Sequence, residues 1–108
     1  MIIAVDFDGT IVNHEYPHIG PLKEGAEKAL RAFRKAGHKI IIWTCRHSEN
    51  EKAVRDFLTK ENIPFDTINM PIPGSDLGTR KLYADIYIDD KGIRYSDNWD
   101  EIRQLIVG

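Results

Sequence analysis

The sequence predicts an α/β domain: a three-layer, Rossmann-like arrangement with a parallel sheet of about four strands and helices on both faces. Two patterns predict it. Short apolar runs rich in β-branched residues, Ile2-Ile3-Ala4-Val5, Lys39 to Trp43 and Ile86-Tyr87-Ile88, alternate with segments of helical periodicity, the order that builds a parallel sheet through right-handed crossovers. Acids or hydroxyls follow these runs, Asp6 and Asp8 after the first, Thr44 after the second and Asp89-Asp90 after the last, and ligands of such sheets bind beyond the carboxyl ends of the strands.

The first run is nearly uninterrupted, as expected of a strand covered on both faces. A loop from Gly9 to Gly20 leads to Pro21, which suits the first position of a helix, and Leu22, Ala26, Ala29, Leu30 and Phe33 recur at helical spacing up to a glycine stop at Gly37. After the second strand, Ser48-Glu49-Asn50-Glu51 has the spacing of a capping box, and the helix behind it should turn Ala53, Val54, Phe57 and Leu58 inward. A short, weak strand is expected near Asp66 to Asn69, then a Pro- and Gly-rich connection from Pro71 to Thr79. The closing helix follows Asp97 or Asn98 and places Trp99, Ile102, Leu105 and Ile106 on its apolar side.

With 108 residues the chain holds one core, so residues 1–108 are expected to form a single domain. Fifteen basic and 17 acidic residues leave a net charge of -2, which gives no bias toward nucleic acid or a membrane surface. A lone Cys45, no signal-peptide pattern and no membrane-length apolar run make cytoplasmic residence the expectation. Cys45 reads as a small apolar residue, buried or half-buried. His14, His18, His38 and His47 have no zinc spacing. His14, Glu15, Tyr16 and His18 follow the first acidic motif closely enough to shape a pocket, and they read equally as loop residues.

Asp6-Phe7-Asp8-Gly9-Thr10 is the most informative segment. Two carboxylates at i and i+2 leave a buried strand just before a glycine that can bend the chain, so one can act as a nucleophile while the other moves a proton. Together with Thr44, a following lysine and Asp89-Asp90, this segment resembles the four motifs of the haloacid dehalogenase-like hydrolase superfamily. The wording Glu15-Tyr16-Pro17, Ile42-Trp43-Thr44 and Arg80-Lys81-Leu82 looks like a small capless group within it.

The resemblance implies a phosphatase, a phosphoric monoester hydrolase, in which Asp6 is the nucleophile and Asp8 the general acid/base. Thr44 would donate to a phosphoryl oxygen and Lys81 would stabilise the phosphate, with Arg80 or Lys91 as replacements for Lys81. The anionic partners need a cation, and Mg²⁺ suits oxygen ligands. The resemblance assigns it to the Asp6 carboxylate, the Asp8 backbone carbonyl and Asp89, with Asp90 a ligand through water or an acceptor behind the ligands. Arg46 reads equally as a substrate-phosphate ligand or a surface arginine.

No cap fits between the motifs, so the site is expected to be open, or closed by the 11–20 loop, the 71–79 loop or another subunit. This favours a phosphorylated substrate that is large and accessible, or a homo-oligomer that walls the pocket. Competing readings are a two-component receiver-like phospho-acceptor domain, whose motif order differs, a non-catalytic binding module on the same fold, and a phosphomutase.

Overall fold

The computed structural model describes residues 1–108. Its elements are β1 (Ile2–Val5), α1 (Ala26–Lys35), β2 (Lys39–Ile42), α2 (Ser48–Lys60), β3 (Thr67–Ile68), β4 (Ile86–Ile88) and α3 (Trp99–Val107). All strands are parallel, in the order β3-β2-β1-β4. The register sets Ile3 beside Ile40 and Ile86, and Val5 beside Ile42 and Ile88. The α/β class and the four-stranded parallel sheet are therefore as expected, and no further domain is inserted between the strands.

The strand order explains how the sheet is covered. From β1 the chain steps to β2 and on to β3 in one direction, so crossovers of one hand lay α1 and α2 on the same face. Alternation along the strands gives that face Ile3, Val5, Ile40, Ile42 and Ile68, which cluster with Leu30 of α1 and with Val54 and Leu58 of α2. Phe57 stacks edge-on against Phe7, with ring centroids 5.9 Å apart. The step from β3 back to β4 reverses direction and crosses the other face. There Ala4 and Ile41 are covered by Ile72, Leu82 and Ala84 of the long connection rather than by a helix. That connection is tied to β1 where Asp85 accepts the Ile2 N–H at 2.7 Å and donates its own N–H to the Ile2 carbonyl at 2.8 Å.

Three local expectations are corrected. Pro21 does not open α1: the Pro21 carbonyl accepts the Asn13 N–H and the Lys23 N–H donates to Ile11, so residues 21–23 pair back on the first loop and the helix begins at Ala26. The Ser48 capping box does not form. Ser48 opens α2 with a left-handed φ of 54°, and His47 before it is the N-cap, without a side-chain bond. On α3, Asn98 caps Glu101 as the sequence suggests, but of the apolar residues only Ile102 is buried. Trp99, Leu105 and Ile106 are each at least 66% exposed. No helix is long and apolar enough to cross a membrane.

Burial decides which apolar side chains stabilise the fold. Leu58 has no exposed surface, so Leu58→Ala is expected to cost about 2–5 kcal/mol by lost transfer energy plus a cavity. Leu105→Ala, at a side chain facing water, should stay within about 0.5 kcal/mol. Urea denaturation of both variants checks the contrast. A loss at Leu105 equal to that at Leu58 would mean that a partner covers the outer side of α3.

Candidate active site

Central strand β1 is where the winding reverses, with β2 on one side and β4 on the other, the place where α/β sheets open a crevice. The Asp6 N–H donates to the Ile88 carbonyl at 2.9 Å, which fixes the end of β1 beside the end of β4. A tight turn follows. The Phe7 carbonyl receives the N–H groups of Thr10, Ile11 and Val12, and Gly9 takes φ +86°, a conformation open to glycine. Phe7 itself is fully buried and so anchors the turn while its two acidic neighbours stay partly accessible.

The turn aims Thr10 between the two strand ends. Its hydroxyl lies 3.0 Å from Asp6 Oδ2 and 3.3 Å from Asp90 Oδ1, and accepts the Asp90 N–H at 3.1 Å. Carboxylate oxygens of Asp6, Asp89 and Asp90 all lie within 4.8 Å of one another, a group able to hold a metal ion. Burial and this crowding together act on Asp6. Burial foremost, then the Asp89 charge and the hydrogen bond with Asp90, raise its pKa from 3.8 to about 6 against the lowering effect of Thr10. Asp90 loses some hydration too, yet hydrogen bonds with Asp6 and Thr10 and the charge of Lys91 hold it below its usual range.

Asp8 is positioned differently from Asp6. Its carboxylate is gripped by Arg46, Nε to Oδ2 at 2.7 Å and Nη2 to Oδ1 at 2.8 Å. The Arg46 side chain is only 2% exposed. It lies over the rings of Tyr16 and Phe7, at 5.0 and 5.8 Å. Its hydrogen bond to Asp8 pushes its pKa upward. The reading of Arg46 as a surface residue is thereby corrected.

Thr44 is buried just past the end of β2, and Asn69, just past the end of β3, fixes it. Asn69 Oδ1 accepts the Thr44 N–H and Asn69 Nδ2 donates to the Thr44 carbonyl, both at 2.8 Å. Thr44 Oγ1 accepts the Arg46 N–H at 3.1 Å, leaving the hydroxyl proton free to be donated. Cys45, between these two buried residues, is exposed. The chain alternates here, so burying Thr44 and Arg46 turns the thiol outward, contrary to the expectation of a buried or half-buried cysteine.

Two cavities meet at Asp6. One of about 370 Å³ is lined by Asp6, Asp8, Thr44, Asp89, Tyr16 and Lys91, with His14, Cys45 and Arg46 completing the wall. A second, of about 190 Å³, is lined by Asp6, Asp89 and Lys81 together with Trp43 and Tyr87. Lys81 Nζ sits 5.5 Å from the Tyr87 ring centre. Arg80 shares a cavity with Thr44 but does not line either of these two. Thus Asp6 and Asp89 line both cavities, Asp8 and Thr44 the first and Lys81 the second; Asp90 joins Asp6 through Thr10, and His18 contributes only its carbonyl, to Arg46.

Sequence reading missed the roles of Thr10 and Asn69. Thr10 lay inside the quoted motif. The signal for Asn69 was an amide at the end of a weak strand, where its φ of 56° suits asparagine.

Fold and site together define an α/β protein with an acidic, metal-competent cluster at the switch point of a parallel sheet. The chain belongs to the family of a conserved protein from Bacteroides thetaiotaomicron. It is 36% identical to that protein, over 98% of this chain and 88% of the other, with a TM-score of 0.80. A chain of the Pnkp1/Rnl/Hen1 RNA repair complex shares the fold, with a TM-score of 0.53 and 19% identity over 97% of this chain and 31% of that one. No protein-family model and no curated protein matches the sequence.

Proposed function

We propose that this protein is a Mg²⁺-dependent phosphatase of the haloacid dehalogenase-like superfamily, hydrolysing a phosphomonoester through an aspartyl phosphate on Asp6. One observation carries the reading. Asp6, at the end of the central strand, shares its cavities with Asp8, Thr44, Lys81 and Asp89, the residues of four separated motifs. The donor set fits the ion: three carboxylates with oxygens within 4.8 Å of one another are hard ligands suited to Mg²⁺. Asp6, Asp89 and Asp90 would hold it, with the Asp8 backbone carbonyl as a further oxygen. When bound, the ion neutralises charge on the phosphoryl oxygens.

The chain's own residues carry the transfer. An Asp6 oxygen attacks phosphorus as the bond from phosphorus to the ester oxygen breaks, and Asp8 gives that oxygen its proton. Water then attacks the aspartyl phosphate and passes a proton to Asp8. The bond between Asp6 and phosphorus breaks, and inorganic phosphate leaves. The Thr44 hydroxyl and the Lys81 ammonium stabilise the phosphoryl oxygens during both steps. A cavity of about 370 Å³ at the surface admits a small ester or an accessible phosphate on a larger molecule.

The test is hydrolysis of p-nitrophenyl phosphate, sugar phosphates, nucleotides and phosphorylated oligonucleotide ends, with and without Mg²⁺. Hydrolysis that stops with a chelator and returns with Mg²⁺ is expected, as is a beryllofluoride adduct on Asp6. Absence of hydrolysis across the set, or an adduct on another aspartate, overturns the reading.

A further inference from the structure

We infer that Arg46 is the positioning residue for proton transfer, orienting Asp8 and, through the same guanidinium, tying down the 16–18 segment that walls the pocket. The inference rests on the phosphatase reading for the role of Asp8 and on geometry for the rest. Four of the five guanidinium N–H groups have partners. Nε and Nη2 hold the two oxygens of Asp8, Nη1 donates to the Pro17 carbonyl at 3.1 Å, and Nη2 also donates to the His18 carbonyl at 2.9 Å.

A guanidinium with these partners has little left for substrate. Its side chain is 2% exposed, beneath Tyr16 and against Phe7, so phosphate binding falls to Thr44 and Lys81. Each Asp8 oxygen spends one lone pair on Arg46 and keeps another for the transferred proton. The planar fork fixes the carboxylate plane in a way that a lysine ammonium cannot. Arg46 is itself fixed, because its N–H is held by Thr44 and its carbonyl by Asn69. The proton-transfer group, the phosphate-binding threonine and the pocket wall thus share one hydrogen-bonded framework.

Leaving-group dependence separates positioning from a merely structural role. An alkoxide leaving group needs its proton far more than a nitrophenolate does. Arg46→Lys and Arg46→Gln are compared with Asp8→Asn on an alkyl phosphomonoester and on 2,4-dinitrophenyl phosphate. Single turnovers with enzyme in excess are followed by release of the alcohol or phenol, so that only formation of the aspartyl phosphate counts. The expected loss with the alkyl ester is on the order of 100-fold, with KM and the dinitrophenyl single-turnover rate little changed, and Arg46→Lys combined with Asp8→Asn should lose no more than Asp8→Asn alone.

Equal losses on both esters, or a loss confined to KM, overturn the positioning role. The carbonyl ¹³C chemical shifts of Pro17 and His18 read the tie without any substrate, because both oxygens accept from the guanidinium. Both shifts are expected to move in Arg46→Gln, and wild-type shifts there would overturn the tie. A wild type that hydrolyses neither ester refutes the phosphatase reading and the proton-transfer role with it, while the carbonyl shifts still decide the tie.

Discussion

Asp6→Asn is expected to reduce Mg²⁺-dependent phosphatase turnover on the order of 10⁴-fold, the scale seen when a nucleophile is removed from a site whose other groups remain. Asparagine keeps the shape and the Thr10 contact but offers no anionic oxygen to phosphorus and a weaker ligand to the ion. Steady-state hydrolysis of p-nitrophenyl phosphate measures the loss. A variant that turns over at the wild-type rate would remove Asp6 from the covalent step.

The same substitution has a stability signature with a defined sign. Asp6 is raised from 3.8 to about 6 in the folded protein, first by burial and then by its acidic neighbours. An acid raised on folding favours the native state while it holds its proton, and that contribution is lost as pH rises from about 4 through about 6. Without divalent ions the wild type should therefore lose thermal stability across this window. Asp6→Asn should lose less and exceed the wild type at neutral pH. Thermal denaturation at pH 4 and pH 7.5 in chelator checks both signs, and a wild type indifferent to pH over this range would contradict the burial of Asp6 beside its acidic neighbours.

The parts of this site legible in the sequence are those set by strand ends. Asp6, Asp8, Thr44 and Asp89 each follow an apolar run by one to three residues, and a parallel sheet brings such positions together whatever the loops do. What escaped is non-local. Arg46 and Asp8 are 38 residues apart, as are no two partners of a helix face or a hairpin, and nothing in the periodicity around Arg46 marks it as buried. Pro21 carries the local preference of a helix start, yet pairing of 21–23 with 11–13 satisfies the same backbone groups and wins. The apolar side of α3 shows the opposite limit. Spacing reveals that Leu105 and Ile106 share a side, but not whether anything packs against it, and in the fold both face water.

Gly9→Ala is the second large effect, and it arises from a residue with no side chain. A Cβ on Gly9 would lie 2.5 Å from Asp90 Oδ2 and 2.9 Å from its Cγ. The Asp90 carboxylate must then swing away, abandoning Thr10 and the cluster with Asp6 and Asp89. At φ +86° alanine also carries a backbone strain of about 1–2 kcal/mol. The strain alone would cost stability and leave the chemistry intact. Displacement of Asp90 acts on the ion, so activity at limiting Mg²⁺ should fall on the order of 100-fold and recover in part as Mg²⁺ is raised. A Mg²⁺ titration of hydrolysis beside a denaturation curve separates the two contributions. Unchanged Mg²⁺ dependence with lowered stability would mean that Asp90 lies outside the metal site, which then rests on Asp6 and Asp89.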